Sequence, residues 1–314
     1  MRPILPLLTL LATLSPMAWA RAPARELGLI KQGRGLGALR TLRPKLEQSP
    51  NDPHLNTLAG LAYAVEGRYG DALGHLERGN GTDLYPTAGL ARQAEALRAL
   101  GRGDEAASLH RERLLQPDLS EGAQLTAVVA TIQDYRSVGA LDQAWELVYF
   151  GMAIRPSEPR LLAFAAEVAL DEGDLTRADA YIFLAERDES ASPPQRLSMV
   201  QARRALAAQD PDLALAFLEE SKQPRMSVPE AVGLRVAVLL ALERPEDAMA
   251  VLSRVNLASR EDPVLLAARA RTELALGDLA AAEQTWAFLQ RVAPGAPMFP
   301  EYVPGLSPTP ELPK

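Results

Sequence analysis

Three histidines, His54, His75 and His110, are the first residues whose type suggests chemistry. His75 and His110 would approach one another if the helices carrying them were stacked. Two imidazoles without a carboxylate motif at ligand spacing make a poor metal site, and His110 falls in an apolar helical register that suits packing. The carboxylates Asp171, Glu172 and Asp174 surround Gly173, where a turn would leave them in water. Gly33-Arg34-Gly35-Leu36-Gly37 has the composition of a phosphate cradle, yet no strand precedes it. No H-E-x-x-H, G-x-S-x-G or Walker sequence occurs. The 314 residues include no cysteine. That removes disulfides, thiolate metal sites, Fe–S clusters, a thiol nucleophile and a lipid anchor on cysteine. The expectation is a protein that is not an enzyme, with no metal and no cofactor.

The elements around these residues begin with an address. Arg2, the apolar stretch from Ile4 to Leu14 and the small-residue site Ala18-Trp19-Ala20 match a secretory signal peptide. Pro3, Pro6 and Pro16 interrupt a run already too short to span a bilayer, which takes about 20 apolar residues. Residues 1–20 are therefore read as a removable leader and the remainder as periplasmic or secreted. The formal net charge is −7, which argues against nucleic acid as a partner. That figure hides an asymmetry. Residues 21–50 carry seven basic side chains against Glu26 and Glu47, a net of +5, and residues 51–314 carry −13. The basic unit offers a peripheral contact with an anionic membrane surface, or is simply a solvated face.

The main organising signal is a period. A small or turn residue followed five residues on by alanine recurs at Gly33/Ala38, Gly67/Ala72, Gly101/Ala106, Gly139/Ala144, Gly173/Ala178 and Gly277/Ala282. Gln209/Ala214 and Glu243/Ala248 are degenerate copies. The intervals are 34, 34, 38, 34, 36, 34 and 34 residues. Apolar residues recur at helical spacing between these turns, as in Leu161, Leu162, Ala165, Val168 and Ala169. Proline near a helix start is expected at Pro53, Pro159, Pro229 and Pro263. Two helices joined by a short turn cannot bury their own apolar face, so the hairpins must stack. Residues 115–122 and 190–194 fall in the two longer intervals and read as longer connections.

This pattern resembles the tetratricopeptide repeat, a helix–turn–helix unit of about 34 residues. The small residue of helix A stands at Gly60, Ala94, Ala166, Ala202 and Ala270, and the aromatic of helix A survives as Tyr63 and Tyr135. The alanine of helix B is the series just given, followed four residues later by Leu42, Leu76, His110, Val148, Ile182, Leu218, Leu252 and Trp286. The helix A tryptophan of the family is absent, and Ile132 and Val236 replace its small residue. The resemblance implies an all-α, α-α superhelix, a solenoid of about eight hairpins over residues 21–294. The array is expected to be elongated. Residues 295–314 hold six prolines and form a Pro-rich tail rather than a helix.

By the same resemblance, helix A residues line the concave side. The inward positions are His54, Thr57, Leu61, Glu95, Arg98, Gln133, Arg136, Arg160, Glu167, Asp171, Met199, Arg203 and Arg271. Mixed donors, acceptors and apolar side chains in such a row suit an extended peptide or a partner helix, and equally describe a solvated polar face. Seven of the 16 aromatics fall between Tyr135 and Phe183. Trp145, Tyr149 and Phe150 on one helix exceed a single inward stripe, so they mark either an exposed anchor or a thicker core. The expected function is a non-catalytic scaffold binding one or more proteins in a bacterial envelope assembly. The resemblance covers members serving secretion, pilus and polysaccharide-export systems. The alternative is a periplasmic ligand-binding module for peptide, glycan or lipid.

Overall fold

The computed structural model describes residues 24–79, 86–114, 119–187, 195–220, 229–255 and 261–293. The leader, the Pro-rich tail and most of the two longer connections lie outside these residues. Among the described residues sixteen helices follow one another and pair into eight hairpins. They are α1 (Ala24–Lys31) with α2 (Gly35–Gln48), α3 (Pro53–Val65) with α4 (Tyr69–Arg78), and α5 (Pro86–Ala99) with α6 (Gly103–Leu114). Next come α7 (Glu121–Ser137) with α8 (Leu141–Ile154), α9 (Pro159–Asp171) with α10 (Leu175–Glu186), and α11 (Gln195–Ala207) with α12 (Pro211–Glu220). The series ends with α13 (Pro229–Ala241) and α14 (Pro245–Ser253), then α15 (Pro263–Ala275) and α16 (Leu279–Val292). Among the described residues every regular element is a helix, and none is long and apolar enough to cross a membrane.

One turn geometry makes all eight hairpins. The turn residue adopts a left-handed conformation at Gly33, Gly67, Gly101, Gly139, Gly173 and Gly277, with φ between 71° and 81°. Its N–H and that of the next residue return to carbonyls of the last helical turn. Gly33 donates to Ile30 O and Arg34 to Leu29 O, each at 2.9 Å. This pair of hydrogen bonds closes the end of the first helix and starts the second. The degenerate copies keep the conformation without glycine. Gln209 and Glu243 stand at φ 61° and 56° and make the same pair of bonds. Each bears a Cβ in a region costing roughly 1–2 kcal/mol for an L-residue.

Prolines open α3, α9, α13 and α15, where the missing N–H needs no partner. Asp52 and Asp262 cap two of these helices, accepting from the N–H groups of Leu55 and Leu265 at 2.9 and 3.2 Å.

The small residues act at the contact between paired helices. Ala38, Ala72, Ala106, Ala144, Ala178, Ala214 and Ala248 have no exposed surface, and Ala282 is nearly as buried. At Gly60 a Cβ would stand 2.6 Å from Leu76 Cγ, so only hydrogen fits between α3 and α4 there. The core is a succession of side-chain clusters, most of them bridging adjacent hairpins. The largest joins α7 through α11 around Val128, Ile132, Leu161, Phe164 and Val168.

The expected elongated array is corrected by a closure. The chain curls until its eighth hairpin meets the second and third. Tyr69 Oη donates to Asp262 Oδ2 at 2.8 Å across 193 residues of sequence. Leu100, just after α5, packs against the cluster of Leu266, Ala267 and Leu289. Arg68 Nε lies 3.6 Å from Glu261 Oε2 beside them. Curvature summed over the stacked hairpins brings these residues together.

Candidate functional site

The A helices carry a ladder of alternating charges rather than an open row of unpaired side chains. Arg136, near the end of α7, donates to Glu167 and Asp171 of α9, the latter at 2.6 Å. Arg203 of α11 donates to the second oxygen of Asp171 at 2.8 Å. Arg196, in the first turn of α11, bridges Glu167 at 2.6 Å and Glu230 of α13 at 2.8 Å. Its guanidinium also lies over the Phe164 ring, 4.4 Å from the centroid. Three arginines thus neutralise three carboxylates across four successive A helices. One hairpin earlier, Arg98 of α5 pairs with Asp134 of α7 at 2.5 Å. The other oxygen of Asp134 lies 2.6 Å from His110 Nδ1.

The ladder is dry. Glu167 is 1% and Arg136 7% exposed. Burial alone would raise the Glu167 carboxyl, but Arg136, Arg196 and Arg203 outweigh it and hold the group below its ordinary range. Asp171 is lowered in the same way: Arg136 and Arg203 overcome its burial. Burial opposes the charge of Arg196, while Glu167 and Glu230 raise its affinity for the proton. Each charge is held by its opposite on the neighbouring hairpin. Breaking such a buried pair is far more costly than its net contribution suggests.

Two corrections to the expected groove follow. Leu61 and Met199 are buried in the core clusters of hairpins 1–2 and 6–7, because their positions face the neighbouring hairpin rather than the concave opening. Arg136, Glu167 and Arg203 are buried as well, since they are bonded across the stack. Of the remaining positions, Arg160 is exposed. His54, Gln133 and Arg271 are half-buried, and burial lowers the pKa of Arg271. Glu95 is half-buried and accepts from Arg92 at 2.5 Å. Among the described residues no group of three or more His, Asp and Glu side chains is placed to hold a metal ion.

Sequence reasoning missed Arg196, Glu230 and Asp134. The available signal was opposite charge one repeat apart: Arg196 and Glu230 are 34 residues apart, and Arg98 and Asp134 are 36.

The aromatic cluster divides between the two readings. Trp145 and Phe164 are buried. Trp145 Nε1 donates to Glu172 at 2.7 Å, and the Arg177 guanidinium lies 3.5 Å from its ring centroid. Its neighbours on the B helices face water. Tyr149 is 52% and Phe183 59% exposed, and Phe150 and Leu184 are exposed beside them in sequence. Trp145 stands within 5.8 Å of both Tyr149 and Tyr181, centroid to centroid, which ties α8 and α10 into one surface.

Eight hairpins with identical closing turns, stacked through small residues, define the class: an all-α helical-repeat solenoid of tetratricopeptide-like units. No protein-family model and no curated protein matches the sequence. Among solved structures, a tetratricopeptide repeat protein from Parabacteroides merdae is similar, with 15% identity and a TM-score of 0.48 over 76% of this chain and 93% of that one. The Cut9–Hcn1 hetero-tetramer of APC/C has 14% identity and a TM-score of 0.49 over 90% of this chain and 56% of that one. PilW, described as a type IV pilus biogenesis factor, has 17% identity and a TM-score of 0.43 over 64% and 91%.

Proposed function

We propose that this chain is an exported, non-catalytic scaffold that engages protein partners through the exposed aromatic face of α8 and α10. The observation that carries the reading is the exposure of Tyr149, Phe150, Phe183 and Leu184 on two consecutive B helices. Large apolar side chains left in water at neighbouring positions mark association surfaces, and aromatic residues dominate their energetics. The A-helix ladder spends its charges internally, so it organises the stack and leaves the outer face to the partner. The leader-like first twenty residues support export to a bacterial envelope.

The test is site-specific photocrosslinking in the native cell from position 149 or 183, with position 160 as the control. Discrete adducts are expected from the first two, and Phe150→Ala with Leu184→Ala, both exposed on the same helices, should remove them with the helical content unchanged. Adducts from position 160 alone would move the interface to the concave side. N-terminal sequencing of the envelope fraction should begin at Arg21; an intact Met1 would defeat the export reading.

A further inference from the structure

The basic N-terminal unit has a structure that the ladder and the aromatic face do not use. Arg40 and Arg43 are exposed on α2, three residues apart. Lys45 of the same helix is bonded to Glu26 at 2.7 Å. Arg40 and Arg43 have no ion pair among the described residues. Both border a cleft of about 370 Å³ between α2 and the end of α3, with Arg68 of the following turn on its edge. A second lobe of about 240 Å³ shares Leu39, Arg43, Glu47 and Tyr63 and reaches His75. The floor is apolar and aromatic, with Leu39 half-buried and Tyr63 stacked on His75 at 5.3 Å between centroids. Arg68 closes one side, its guanidinium 4.9 Å from the Tyr63 centroid and bonded to Asp71. Glu47 is the one carboxylate on the lining of either lobe.

We infer that this cleft binds an acidic peptide segment, seating one large apolar side chain on Tyr63 and Leu39 while flanking carboxylates engage Arg40 and Arg43. Charge complementarity selects this occupant. Unpaired guanidinium groups three residues apart on a helix present two forks to successive carboxylates. The chain beyond residue 50 carries −13, so an acidic segment is repelled from the body and directed to the one basic unit. Shape argues against a membrane surface, because Leu39 and Tyr63 lie in the floor of a concavity rather than on a protruding rim. The site is separate from the aromatic face and stands or falls without it.

The test uses the mature full chain and a short fluorescent peptide in which Asp and Glu flank one Leu and one Phe, with its Asn/Gln counterpart as control. Anisotropy should show saturable binding of the acidic peptide that weakens with salt, and binding of the control at least about tenfold weaker. Arg40→Glu with Arg43→Glu should lose binding by about tenfold or more, and Arg43→Gln by less, with unchanged melting curves because both side chains are exposed. Equal binding of the two peptides, or full binding by the double variant, would overturn the proposal. So would binding only to phosphatidylglycerol vesicles, or self-association abolished by the same variant, since either makes the occupant a membrane or a second copy. Variants at Tyr149 and Phe183 should bind the acidic peptide as the native chain does.

Discussion

Two buried ionic regions of this solenoid are built on opposite terms. Across the middle hairpins, Arg136, Glu167, Asp171, Arg196, Arg203 and Glu230 balance one another, each partner supplied by a neighbouring repeat. At the closure, Asp262 meets a neutral phenol and two backbone N–H groups from its own helix. Burial therefore dominates there and pushes the Asp262 carboxyl up to about 6, with Glu95 adding like charge and the hydrogen bond from Tyr69 only partly offsetting it. The comparison teaches that burial alone does not set the state of a carboxylate. Glu167 is held ionised by three arginines, and Asp262 is driven toward the proton for want of one.

The largest effect expected comes from breaking the ladder. Glu167→Ala leaves Arg136 and Arg196 facing each other without the carboxylate that separates them. Removing one partner of a buried pair costs about 3–5 kcal/mol, and urea unfolding should read a loss of that size. A loss below about 1 kcal/mol would mean that water reaches the ladder and that the two regions do not differ as described.

The two regions should respond oppositely to acid. Asp262 has a folded pKa of about 6 against an ordinary 3.8. The folded protein binds this proton more tightly than the unfolded chain, so stability from Asp262 falls as pH rises from about 4 to about 6. Glu167 and Asp171 are lowered instead, so their contribution is present above the ordinary carboxylate range and is lost as pH falls through it. At pH 5 Asp262 is largely neutral while the ladder keeps its charge. Asp262→Asn should therefore be more stable than the native chain at pH 7.5, with a ceiling of roughly 3 kcal/mol from the shift. That advantage should shrink as the pH approaches 5. An advantage independent of pH would remove Asp262 from the titration. Glu66, also raised by burial, is present in both chains and cancels in the difference.

What was legible in the sequence follows from what repeats. The turn residues and the buried alanines occupy the same slot in every hairpin, so one physical requirement is written eight times and stands out even at Gln209 and Glu243. The ladder was legible in part: Arg136, Glu167, Asp171 and Arg203 fell at inward positions, but Arg196 and Glu230 did not. Arg196 sits in the first turn of α11 and Glu230 near the start of α13, where an arginine's length bridges what position alone does not. Tyr69–Asp262 was not legible at all. That contact depends on curvature accumulated over hairpins 2–8, and no local pattern carries an angle. Leu61 and Met199 looked like groove residues because helical spacing gives a residue's face and not how closely the next hairpin covers it.

The turns offer a smaller test of how far periodicity compensates for local strain. Gln209 and Glu243 hold the left-handed conformation that six glycines hold elsewhere. Gln209→Gly and Glu243→Gly each relieve the Cβ penalty and add freedom to the unfolded chain, for a net gain of roughly 0.5–1 kcal/mol. A loss at either site would show that its side chain contributes more than its backbone costs.

The finest test asks whether spacing or burial gives the ladder its weight. Arg155 pairs with Glu121 at 2.5 Å, and the two are 34 residues apart like Arg196 and Glu230. Both side chains of the Arg155 pair are about half exposed. Water screens the attraction, and holding two long side chains in one geometry costs entropy, so such exposed pairs add little to stability. Arg155→Ala should lower stability far less than Glu167→Ala, and added salt should erase the difference. A loss comparable to that of Glu167→Ala would make the repeat spacing, rather than the exclusion of water, the source of the ladder's strength.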